Sequence, residues 1–192
     1  MLNGLQWAQF IREPKWLIGF SDVCVLHHKI QDLGFQSIHG TMALNIQKNS
    51  AAAKDSLSST LYGNPSSFEL PSHPLNQHGQ TTGRLIGGNL SIVFSMLATP
   101  ERYDFSDAIL FIEDLAEHLY HIDRMMMQLK RAGKLVGLSG LIVGGMSDMR
   151  DNAIPFGKTA EEIISEAVSE YTFPVCMNFP AGHIQNNQPL LM

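Results

Sequence analysis

Apolar residues recur along this chain in two rhythms, short unbroken runs and one-sided helical spacings. Residues 15–20, KWLIGF, run apolar up to a polar turn and predict a buried strand. Val23, Leu26, Ile30 and Leu33 share one helical face over 22–33, closed by Gly34. Ile38 to Leu44 predicts a further short strand with its loop, and AAAKDSLSSTLYG a helix ending at Gly63. The stretch NPSSFELPSHPLNQHGQTTG reads as loop and edge strand, and GGNLSIVFSMLATP as a glycine-led helix stopped by Pro100. Residues 108–112, AILFI, predict a buried strand that ends abruptly at Glu113-Asp114. His118 to Ala132 is amphipathic, with Leu119, Ile122, Met126 and Leu129 on one face and Gly133 at the C′ position. LSGLIVGGM predicts the next strand. Thr159 to Glu162 forms a capping box for a helix to Tyr171, and strand FPVCM follows. Strands alternating with helices mean an α/β architecture. The Ser, Asn, Gln, His and Pro bias from Asn49 onward divides the chain into 1–48, a linker and edge segment 49–82, and a β/α domain 83–192.

Composition narrows the function classes. The 192 residues are 44% hydrophobic and 16% charged, which describes a globular chain. A net charge of −5 disfavours a nucleic-acid partner. No apolar run approaches the ~18 residues of a membrane span, and the N-terminus does not read as an export signal. Two cysteines, Cys24 and Cys176, are too few for a disulfide framework, so a cytoplasmic setting is expected.

Reactive groups in open α/β sheets gather past the carboxyl ends of strands. Ser21 follows KWLIGF in the turn Gly19-Phe20-Ser21-Asp22, Glu113 follows AILFI, and His183 follows FPVCM through the loop NFPAGH. A hydroxyl, a carboxylate and an imidazole are the parts of a Ser-His-acid relay, and the backbone N–H of Asp22 would face an oxyanion. Each residue also has a plain reading: a helix-capping serine, a solvated glutamate, a structural loop histidine. The G-x-S-x-G elbow of common lipases is not met, because Val23 stands at the second glycine. Among the other features, Glu117, His118 and His121 lack H-E-x-x-H spacing and a third ligand, which favours a surface helix over a metal site. His27-His28 read as packing or surface residues, and Met125-Met126-Met127 as a partly core-facing run. Gly87-Gly88-Asn89 lacks the lysine of a phosphate loop and reads as close backbone packing near the cleft. Arg84 is either a carboxylate clamp or a surface residue.

The runs PKWLIGFSDVCVLHH, TTGRLIGGNLSIVFSMLATP, AILFIEDLAEHLYHIDRMMMQLKRAG and NFPAGHIQNN, in that order, resemble the LD-carboxypeptidase family of serine peptidases. That family contains murein tetrapeptide carboxypeptidases and microcin C immunity peptidases. The resemblance implies Ser21 as nucleophile, Glu113 as orienting carboxylate and His183 as general base, with Asp22 N–H as an oxyanion donor. It implies no metal and no organic cofactor, a murein peptide as substrate, no nucleic-acid or membrane partner, and a homodimer. Cys24 stands where a threonine is common, and Ala98 replaces the glycine of a G-T-P turn. The family begins with a Rossmann-like N-terminal lobe, yet only about twenty residues precede Ser21, short of a βαβ unit. The chain therefore reads as a remnant of that lobe carrying the nucleophile elbow, joined to the C-terminal domain and truncated at both ends. The expected activity is release of a terminal D-amino acid, D-Ala from murein tetrapeptide, by a Ser-His-Glu triad in cell-wall recycling, with the fragment alone weak or inactive. The alternatives are a peptidase that detoxifies a microcin-type peptidyl nucleotide, and a non-catalytic interaction domain.

Overall fold

The structure, a computed structural model, describes residues 2–99 and 103–192. Its centre is a four-stranded parallel sheet in the order β3 (Arg84–Asn89), β4 (Ala108–Leu115), β5 (Gly140–Ser147), β6 (Val175–Cys176). Helices α4 (Leu90–Ser95), α5 (Leu119–Arg131) and α6 (Ala160–Val168) connect successive strands, as parallel pairing requires. Alternation along β4 sorts its side chains between two cores. Ala108, Leu110 and Ile112 join α5 residues Ile122, Met126 and Leu129 in the larger one. Phe111 turns to the opposite face, against Phe179, Ala181, Leu190 and Met192. A second sheet places β1 (Ile18–Gly19) parallel to β2 (Ile38–His39), with β7 (Leu190–Leu191) antiparallel on the far side of β2. Helices α1 (Trp7–Arg12), α2 (Cys24–Asp32) and α3 (Ala51–Leu61) complete the element order.

The α/β reading and the capping box of α6 agree with the sequence, and two further caps add to them. Thr159 and Glu162 form the reciprocal capping box, Ser50 caps α3, and Asn89 caps α4. Five expectations need correction. The run GGNLSIVFSMLATP is not one glycine-led helix: Gly87 and Gly88 lie inside β3, and the helix spans Leu90–Ser95. Both glycines take positive φ, +108° and +129°, because a Cβ would overlap the Phe111 carbonyl at the first and Cys24 Sγ at the second. Pro100, expected to stop that helix, lies outside the described residues. Strands KWLIGF and FPVCM shorten to Ile18–Gly19 and Val175–Cys176, since burial continues through Phe20, Phe173 and Met177 where ladder pairing does not. The 38–44 segment is a short strand, Ile38–His39, with its loop, as read, whereas β4 does not end at Glu113-Asp114 but runs through both to Leu115, since their backbones keep pairing with β3 and β5, and the last helix ends at Val168 rather than Tyr171.

One irregularity bears on function. Ile112 pairs with Val143 but Asp114 with Met146, so β5 carries an extra residue opposite Glu113. Gly144 and Gly145 supply it. Gly145 N–H donates to Ala181 O at 2.9 Å, and a Cβ on Gly144 would come within 2.6 Å of that carbonyl. The bulge thus lets the 177–187 loop lie against the sheet beside Glu113.

Candidate active site

The chain makes a sharp reversal at the end of β1. Phe20 is extended at φ −151°, Ser21 takes φ +62°, and a 3-10 turn over Ser21–Val23 runs into α2. A non-glycine residue in the left-handed region stores strain and projects its side chain out of the turn. Gly19 is needed two residues earlier, because a Cβ there would press to 3.0 Å on the Val23 side chain.

Glu113 is fully buried at the end of β4, where solvation cannot support its charge. Its Oε2 lies 2.7 Å from His183 Nδ1. With the carboxylate ionised, Nδ1–H is the donor, which leaves Nε2 available to take a proton. Burial alone would lower the pKa of His183. The Glu113 hydrogen bond and charge, with the charges of Asp114 and Asp22, outweigh it and raise the pKa above its ordinary value. Gly182 makes the contact sterically possible. At φ +110° it offers no Cβ where one would fall 2.7 Å from Glu113 Oε2, and its N–H donates to Asn187 Oδ1 at 2.9 Å.

Ser21 adjoins this pair without a hydrogen bond to it among the described residues. Phe20 presents its ring edge to the His183 ring at a centroid distance of 4.8 Å, so the Ser21 turn and the histidine loop are neighbours. A cleft of about 240 Å³ opens at His183, with Phe20, Lys48, Leu115 and Ile184 among its walls.

Residues for which the sequence suggested no role at the site reinforce it. Asp114, also buried, accepts from Asn89 Nδ2, Ser91 N–H, Ser91 Oγ and its own neighbour Leu115 N–H, all within 3.0 Å. It ties the end of β3 to the end of β4 next to Glu113. His27 donates or accepts at Ser37 Oγ (2.8 Å) and donates to Gly19 O (2.9 Å), bracing the strand before the elbow. Cys24 Sγ accepts from Asn89 N–H at 3.2 Å, and burial pushes its thiol up to about 12. The other candidates fall outside the cleft. Arg84 donates to the Asp104 carbonyl at 2.9 Å at the opposite end of the sheet, a surface role. His121 pairs with Glu117 at 2.8 Å, and no group of three or more His, Cys, Asp or Glu suited to a metal ion occurs among the described residues.

Comparison with known proteins bears on this geometry. Residues 82–192 match the model of the LD-carboxypeptidase C-terminal domain, and residues 1–40 that of the N-terminal domain. The chain belongs to the LD-carboxypeptidase family. A putative carboxypeptidase of Synechocystis sp. is 33% identical over 187 residues, covering 95% of this chain and 60% of the relative. The crystal structure of muramoyltetrapeptide carboxypeptidase from Oxalobacter formigenes superposes with a TM-score of 0.88 at 29% identity, over 100% of this chain and 66% of that one. The microcin C7 self immunity protein MccF shares the fold, with a TM-score of 0.82 at 20% identity, over 100% of this chain and 66% of that chain. This LD-carboxypeptidase chain thus spans about three fifths of the length of its curated relatives.

Proposed function

We propose that this chain carries the nucleophile and acid–base pair of a serine carboxypeptidase that cleaves an L,D-peptide bond and releases a terminal D-amino acid, D-Ala from a murein tetrapeptide. The observation that carries the reading is the 2.7 Å contact between buried Glu113 and His183, beside a serine at φ +62°. In the first step Ser21 Oγ attacks the scissile carbonyl while His183 Nε2 takes its proton. The resulting oxyanion is met by Asp22 N–H, in the 3-10 turn over Ser21–Val23 that leads into α2. The imidazolium, held by Glu113, then protonates the leaving amine as the C–N bond breaks. Water, deprotonated by the same imidazole, hydrolyses the acyl-serine ester. Nothing in this sequence of steps requires a metal or an organic cofactor.

The same reading assigns the reaction to murein recycling in the cytoplasm, for which the two free thiols are the support. It also assigns a homodimer, for which the support is the open edges of β1 and β3 in their sheets. The test is release of D-Ala together with labelling by a fluorophosphonate probe. Joined to the remaining length that its relatives have, the chain is expected to label at Ser21 and to release D-Ala, and S21A to lose both; the 192 residues alone are expected to do so weakly or not at all. S21A releasing D-Ala at the parental rate would overturn the proposal. Turnover of a peptidyl-adenylate mimic in place of the tetrapeptide would move the substrate to the peptidyl nucleotides.

A further inference from the structure

Lys48 occupies a distinctive place in the cleft. Besides His183, it is the one charged side chain in the lining, and no carboxylate lines the cleft with it. Lys48 enters no ion pair among the described residues. Its backbone is nevertheless fixed. Lys48 N–H and Asn49 N–H both donate to Asn45 O, at 2.9 and 3.2 Å, closing a tight turn. That turn is then fastened to the histidine loop. Asn49 Nδ2 and Ser50 N–H donate to Gln185 O at 3.0 and 2.9 Å, and Ser50 Oγ donates to Asn186 Oδ1 at 2.7 Å. Three hydrogen bonds therefore link the ammonium-bearing turn to the segment that begins at His183.

A cation without a partner, on a wall tied to the proton-transfer group, suits an anionic group close to the scissile bond. Phe20, Leu115 and Ile184 supply apolar surface for a small side chain in the same cleft. The anionic group that lies one residue beyond a scissile bond at a chain terminus is the free α-carboxylate of the departing residue. We infer that Lys48 is a specificity residue that receives that carboxylate, so that the site selects a free C-terminus over an internal or capped peptide. The inference rests on the carboxypeptidase reading of the site and adds to it the residue that enforces the exo-acting preference.

Binding to an uncleaving protein tests it directly. In the S21A background, calorimetry compares a murein tetrapeptide with its C-terminal carboxamide. A charge-assisted contact to an exposed lysine should make the acid bind up to about fivefold tighter than the amide. S21A/K48Q is expected to bind the two about equally, whereas S21A/K48R keeps the preference. Retention of the full preference in S21A/K48Q would overturn the assignment of Lys48 and leave the carboxypeptidase reading in place, as would absence of any preference in S21A itself. Failure of the parental protein to label at Ser21 with a fluorophosphonate, which carries no carboxylate, would instead overturn the reading on which the inference rests.

Discussion

Replacing Glu113 by glutamine changes one atom in the site and removes one charge. The perturbed contact is the 2.7 Å bond from His183 Nδ1 to Glu113 Oε2, inside a carboxylate with no solvent exposure. Hydrogen bonds to a charged partner are worth about 1.5–3 kcal/mol, and neutral ones about 0.5–1.5 kcal/mol. The neutral amide therefore gives up about 1–2 kcal/mol of imidazolium stabilisation, or roughly five- to thirtyfold in any step that forms the imidazolium. An amide turned with its NH2 toward Nδ1 would force the proton onto Nε2 and deepen the loss. Burial, which alone lowers the pKa of His183, is then left without its main opposition, so the histidine should titrate lower in E113Q than in the parent. The stability sign follows from the raised folded pKa. The pair stabilises the fold fully below the unfolded value near 6.5, and that stabilisation fades as pH rises through the folded value. E113Q should abolish this pH-dependent component. The assays are the rate of fluorophosphonate labelling at Ser21 between pH 6 and 9, and the NMR titration of the His183 ring. Labelling within twofold of the parent across that range, or a His183 titration no lower than the parent's, would refute the reasoning.

Three further outcomes are expected. G182A should destabilise the protein by about 2–4 kcal/mol and slow labelling at least tenfold, because the added methyl meets Glu113 at 2.7–2.9 Å on a backbone at φ +110°; urea unfolding and the labelling rate report both effects. Against a water-soluble disulfide reagent at pH 8, half-buried Cys176 should react first and slowly, and Cys24, with its thiol pushed to about 12, only as fast as the protein unfolds; mass spectrometry of partly modified protein gives the order. Stability should fall as pH drops below about 6.5, because burial lowers His39 to about 3 and His27 to about 4, so the unfolded chain binds protons that the folded one refuses. H39L should remove about 1.4 kcal/mol per pH unit of that dependence between pH 4.5 and 6, and an unchanged slope in urea titrations would count against the assignment.

Much of the frame was legible because it rests on local pattern. The one-sided apolar spacing of α5 and the Thr159–Glu162 capping box depend on residues three or four apart, and both are formed as read. The apolar runs that end before Ser21 and before the loop to His183 mark carboxyl ends of strands for the same reason, whereas β4 continues two residues past Glu113 to Leu115. The misread elements depend on partners far along the chain. Gly87 and Gly88 resemble a helix start until Phe111 and Cys24 are known to lie against them. Periodicity cannot report that contact, and strand length fails for a related cause: Phe173 and Met177 are buried by packing, whereas β6 is only as long as its ladder with β5. Asp114, Asn187 and the Gly144–Gly145 bulge leave a weaker trace still. Each acts on a group brought close by the fold, and the only sequence signal is a polar or glycine residue inside an apolar run.

The site residues share a property that the fold explains. Ser21 sits at a costly φ, Glu113 buries a carboxylate whose Oε1 lacks a protein partner, and Gly182 holds a backbone conformation that side chains avoid. None of these would be chosen for stability, and each would relax if its surroundings allowed. They are held because the strand ends around them are fastened to their neighbours: β1 through His27 to Gly19 O, β3 and β4 through Asp114, β5 through Gly145 to Ala181 O, and the histidine loop through Asn187 and Asn49. Loosening a fastener should therefore cost reactivity at Ser21 before it costs the fold, because the larger core lies on the far face of the central sheet, among α4, α5 and α6.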